Sequence, residues 1–167
     1  SYYLTSNFSG VAGKNGISIE CDDVTLDLNG FTVQGVAGSL AGIITPTGIA
    51  RANISVRNGT VKGWGQQGIL LTGSTTKVGS LVESVIASDN TGDGLALNGR
   101  AIVRACTAHH NGGDGFHMTS GNSDAFNCTA LFNTGDGFDS AGGLITSCVS
   151  SNNSANGFRV TNVHITG

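Results

Sequence analysis

Three residues able to move a proton or hold an anion recur at a regular interval: His117, Asp139 and Arg159 lie 22 and 20 residues apart. A histidine oriented by a carboxylate is a general base, and an arginine holds a uronate carboxylate or a developing negative charge. The bland alternative is a charge-complementary ladder on a wet surface, worth about 0.2–1 kcal/mol per pair. A second series, Asp93, Asp114 and Asp136, keeps a similar interval of 21 and 22 residues. Like charges so placed need compensation, either by amides of their own turns or by a cation. Calcium, which takes rows of oxygen ligands, is the natural candidate, and no other cofactor is called for. Asn156 continues the series and favours the amides.

The interval belongs to the chain and not only to these residues. Laid in register, residues 81–160 read LVESVIASDNTGDGLAL, IVRACTAHHNGGDGFHM, DAFNCTALFNTGDGFDS and LITSCVSSNNSANGFRV. The glycine before Leu or Phe falls at Gly94, Gly115, Gly137 and Gly157. A period of this length is the signature of a solenoid. One column runs Val82, Val103, Ala125, Ile145, Ile165, and another Val85, Cys106, Cys128, Cys148. A third runs Leu95, Phe116, Phe138, Phe158, followed two residues on by Leu97, Met118, Ser140, Val160. Spacing of i, i+2 is the strand period, so alternate residues point into a narrow core. Asn90, Asn111, Asn133 and Asn153, then the aspartates and glycines, mark a corner, because Asn, Asp and Gly accept left-handed backbone. The asparagine column reads as an internal hydrogen-bonded ladder.

Coils of parallel strands joined by right-handed crossovers give an all-β, right-handed parallel β-helix of about seven coils of 20–28 residues. On these columns the chain resembles the right-handed parallel β-helix, or pectate-lyase-like, superfamily. The resemblance is one of fold and implies no activity by itself. It does imply a secreted or cell-surface protein. Relatives that act on polysaccharides work on an outward sheet face, which puts His117, Asp139 and Arg159 at the catalytic positions of a lyase, epimerase or hydrolase. The sequence lacks the paired aspartates of β-helix polygalacturonases and the Asp-Pro-His-Asp motif of β-helix mannuronan epimerases.

The chain is read as one domain, with longer coils carrying insertions over 1–80 and compact coils of 20–22 residues over 81–167. Early coils measure 26 residues between Gly16, Gly42, Gly68 and Gly94. Their extra residues fall at 35–40 and 63–67, with a looser segment at 73–79. Trp64, the single tryptophan, sits in one insertion beside glycines, where it either stacks on a sugar ring or covers the side of the solenoid. The outward column ahead of His117 is Ile44, Leu70 and Ala96, an apolar strip that binds a partner unless a loop covers it.

Net charge of −3, with 11% charged residues and no basic cluster, excludes a nucleic-acid footprint. No run reaches the ~20 apolar residues of a membrane helix. His109 and His110, being adjacent, make a poor chelate. Glu83 and Arg104 share a column and need be no more than an ion pair. The cysteines follow the coil period with no CxxC pattern, as small core fillers. The outward column Ile86, Thr107, Thr129, Val149 lacks the threonine array of an ice-binding face. Starting at Ser1 and stopping inside a coil, the chain reads as a processed or excised piece whose last strands present a pairing edge. The favoured reading is a rigid extracellular module that offers flat faces to polysaccharide or to copies of itself, and the alternative is a polysaccharide-active enzyme.

Overall fold

The structure, a computed structural model, describes residues 1–46, 48–73, 79–120 and 122–167. Most of the looser segment at 73–79 lies outside the described residues. The molecule is a parallel β-helix. Seven short strands, one per coil, stack as one sheet: Ile17–Ser18, Ile43–Ile44, Ile69–Thr72, Leu95–Asn98, Phe116–Ser120, Phe138–Ser140 and Phe158–Val160. The remaining strands form a second, thirteen-stranded sheet that wraps the other sides of the coil.

Like residues stack on like residues, as the repeat requires. Val82 pairs with Val103, Val103 with Ala125, Ala125 with Ile145 and Ile145 with Ile165. Phe116 pairs with Phe138 and Phe138 with Phe158, their rings stacked at 4.6 and 5.1 Å. Phe116 and Phe138 in this inner row are fully buried. Cys106 and Cys128 are buried in the same core as free thiols. The Cys106 contact pushes the Cys128 thiol up to about 12, so it packs as a neutral group.

Polar continuity inside the core comes from the asparagine column. Each side chain donates through Nδ2 to Oδ1 of the asparagine one coil on, at 3.0 Å from Asn90 to Asn111 and 2.9 Å from Asn111 to Asn133 and Asn133 to Asn153. The same Oδ1 atoms accept the backbone N–H of Asn90, Asn111 and Asn133. A buried amide is thereby satisfied at both ends, which makes burial tolerable. The positive φ that turns the corner lies one residue earlier, at Asp89, His110, Phe132 and Asn152, all between 54° and 56°. His110 and Phe132 stack there at 5.2 Å on the outside.

Trp64 corrects the sequence reading: it is 1% exposed and lies inside the coil, so it cannot stack on a sugar. Its Nε1–H donates to Val33 O at 3.1 Å and its backbone N–H to Asn90 Oδ1 at 3.1 Å. Glycines of the earlier coils make room for the ring. A Cβ on Gly10 or Gly16 would lie 2.6 or 2.7 Å from Trp64 Cη2. Trp64 thus occupies the asparagine column one coil ahead of Asn90.

Candidate functional site

The outward residues of the seven-stranded sheet form the column that the sequence describes. Ile44 pairs with Leu70, Leu70 with Ala96, Ala96 with His117, His117 with Asp139 and Asp139 with Arg159. Ile44 and Leu70 are half-buried, and Ala96 is buried. The expected open apolar strip is therefore reduced to the edges of two side chains.

The polar end of the column is a connected cluster. Arg159, with 66% of its side chain exposed, donates from Nη1 to Asp139 Oδ2 at 3.1 Å. The same Oδ2 lies 3.5 Å from His117 Nδ1, and Asp114 Oδ2 lies 3.0 Å from that nitrogen. The opposite ring nitrogen, Nε2, is 3.0 Å from Thr119 Oγ1. Only 8% of the Asp139 side chain is exposed. Burial pushes its carboxyl above the usual value, and the charges of Arg159 and His117 oppose that shift. Asp139 is thus a largely buried carboxyl whose Oδ2 bonds Arg159 and lies near the His117 ring.

The aspartate column meets this cluster from the corner. Asp93 Oδ1 accepts the backbone N–H of Asp114 at 2.8 Å, Asp114 Oδ1 that of Asp136 at 2.7 Å, and Asp136 Oδ1 that of Asn156 at 2.8 Å. Compensation comes from the next coil's amide, not from each residue's own turn as the sequence suggested. Desolvation raises the Asp93 carboxyl, and the Asp114 amide works against it. The second oxygens are left for the outward column: Asp114 Oδ2 faces His117, and Asp136 Oδ2 is 4.0 Å from Arg159 Nη1. The ligand atoms that come within 4.8 Å of one another belong to Asp114, His117 and Asp139 rather than to Asp93, Asp114 and Asp136.

Thr119 and Asp114 are the members of the cluster that periodicity did not assign to it. Thr119 sits at an irregularity: Ala96 pairs with His117 but Asn98 with Ser120, so Met118 and Thr119 together face Leu97. A bulge of this kind re-aims a side chain. His109 Nδ1 and His110 Nδ1 are 3.0 Å apart, so the two rings meet on the outside of the coil, apart from the group of Asp114, His117 and Asp139. Arg104 Nε and Glu83 Oε1 form their ion pair at 2.7 Å.

The profile of the right-handed beta helix region matches residues 43–166, more than half of the chain. The protein belongs to the right-handed β-helix family. A solved member of this architecture, the A-module of the Azotobacter vinelandii mannuronan C-5 epimerase AlgE4, superposes with a TM-score of 0.64 at 19% identity. The match covers 88% of this β-helix chain and 50% of the epimerase module, so the chain spans half of that module's length. At that identity the likeness shows the fold alone. No curated protein sequence matches this β-helix chain significantly. Among the described residues, no helix of the β-helix is long and apolar enough to cross a membrane.

Proposed function

We propose that this β-helix binds an acidic polysaccharide along the outward column of its seven-stranded sheet, outside the cell or at its surface. The observation that carries the reading is the change within one registered column from apolar Ile44 and Leu70 to polar His117, Asp139 and Arg159. A polymer lying along the helix axis meets one outward side chain every ~4.8 Å. The apolar edges take the faces of sugar rings, and the free face of Arg159 takes a carboxylate. The fold-level likeness to a mannuronan epimerase module supports a carbohydrate-related role. The carboxylates of Asp114 and Asp139 at His117, with that of Asp136 beside Arg159, oppose an anionic chain at long range, so a divalent cation such as calcium is expected to strengthen binding by bridging.

Retention on a panel of acidic and neutral polysaccharides, with and without calcium, tests the reading. Arg159→Ala is expected to weaken retention about 10- to 100-fold, the value of one charge-assisted hydrogen bond. Retention that ignores Arg159, or growth in solution mass with no retention at all, would favour faces that pair copies of the chain. The enzyme reading has its own observation in the contacts of both His117 ring nitrogens, with Asp114 and Thr119.

A further inference from the structure

We infer that Asp114, His117 and Thr119 form a relay that makes the Thr119 hydroxyl a nucleophile toward acyl esters carried by a bound sugar chain. The inference rests on the reading that a glycan lies on this face. Its geometry is independent of which glycan that is.

Asp114 Oδ2 lies 3.0 Å from His117 Nδ1, and His117 Nε2 lies 3.0 Å from Thr119 Oγ1. A carboxylate only accepts, so the ring proton sits on Nδ1 and the lone pair of Nε2 is directed at the threonine O–H. Asp139 Oδ2 is farther, at 3.5 Å, and is already bonded to Arg159 Nη1 at 3.1 Å. Asp114 therefore positions the ring, while Asp139 adds negative charge where an imidazolium would form. Carboxylate, imidazole and hydroxyl in this order are what activate an alcohol for acyl transfer, whatever fold carries them.

Three further features suit an ester on a polymer. The bulge at Met118 and Thr119 keeps Met118 in the core, 1% exposed, while Thr119 turns to the histidine. His117 keeps 31% of its side chain exposed, on an outward sheet position that a chain can cross. Leu70, the half-buried outward residue two coils earlier in the same column, offers an apolar edge for the acyl group.

In the first step Thr119 Oγ1 attacks the ester carbonyl carbon and its proton passes to His117 Nε2. The bond from the acyl carbon to the sugar oxygen breaks, and that oxygen takes the proton from Nε2. Water then attacks the acyl-threonine, giving one proton to Nε2. That proton returns to Oγ1 as the carboxylic acid leaves. The sum is ester plus water to sugar alcohol plus acid, and the protein is regenerated.

The test uses the full chain with p-nitrophenyl acetate, which needs no glycan binding, and with O-acetylated against de-acetylated polysaccharide. Acetate release is expected, falling about 10²–10⁴-fold in His117→Gln and Thr119→Val and surviving in Thr119→Ser. Asp114→Asn, which keeps an acceptor for the Asp136 amide, is expected to lower kcat with KM unchanged. Mass spectrometry after a fluorophosphonate should place the adduct on Thr119. No hydrolysis of either ester, hydrolysis untouched by Thr119→Val, or an adduct elsewhere overturns the relay. Loss of polysaccharide retention with p-nitrophenyl acetate still cleaved would sink the glycan reading alone.

Discussion

Asn111→Ala should destabilise the β-helix by about 3–5 kcal/mol, because it breaks the internal amide ladder at its middle. Asn111 Oδ1 accepts from Asn90 N and Nδ2 at 3.2 and 3.0 Å, and its Nδ2 donates to Ala87 O and Asn133 Oδ1 at 3.1 and 2.9 Å. Alanine fills none of these roles and admits no water where Asn111 is 1% exposed. Two or three buried groups then lose partners at about 1–3 kcal/mol each. For a chain of this size the melting temperature should fall by roughly 10 °C. Urea titration followed by circular dichroism checks it, with the midpoint moving at constant slope. Asn153→Ala, at the half-exposed end of the same ladder, should cost under about 1.5 kcal/mol. Equal losses at the two positions would mean that burial of the ladder contributes nothing.

Trp64→Ala should cost a comparable ~3–5 kcal/mol, for a different reason. The indole fills a slot that Gly10, Gly16 and Gly42 leave open, with a Cβ on Gly42 falling 2.9 Å from Nε1. Removing the ring leaves a cavity that strands on both sides cannot close, and Val33 O loses the indole N–H. A surface tryptophan would cost a few tenths of a kcal/mol, within the usual ±0.5 kcal/mol of surface changes. A thermal melt followed by circular dichroism decides between the two. A small loss would return Trp64 to the surface role that its glycine neighbours first suggest.

The contrast between these residues shows what the sequence carried. Asn111 was legible because its column repeats one residue type four times at the coil period, and a polar column between inward columns has to satisfy itself. Trp64 was misread because its neighbours Gly63 and Gly65 look like a loop. Yet it precedes Gly68 by four residues, as Asn90 precedes Gly94, and that spacing was the signal for an inward position. His117, Asp139 and Arg159 were legible as a stack, since parallel pairing in register follows from the period. Thr119 was not: the bulge at Met118 and Thr119, opposite Leu97, is one residue of extra strand that periodicity cannot locate. Asp114 was assigned to the corner column and His117 to the strand column. What joins them is the tightness of the turn through Gly115, which brings Oδ2 within 3.0 Å of Nδ1. Side-chain reach across a corner is not written in a repeat.

The most direct measurement is the set of imidazole resonances of the four histidines during titration with a retained acidic polysaccharide. His117 is in the proposed binding column, His109 and His110 open the corner before it on the far side from that column, and His164 lies on the strand Val163–Thr166. A glycan on the outward face predicts that the His117 signals move in step with binding while those of His109, His110 and His164 stay in place. Binding that shifts the other histidines and leaves His117 unmoved would contradict it.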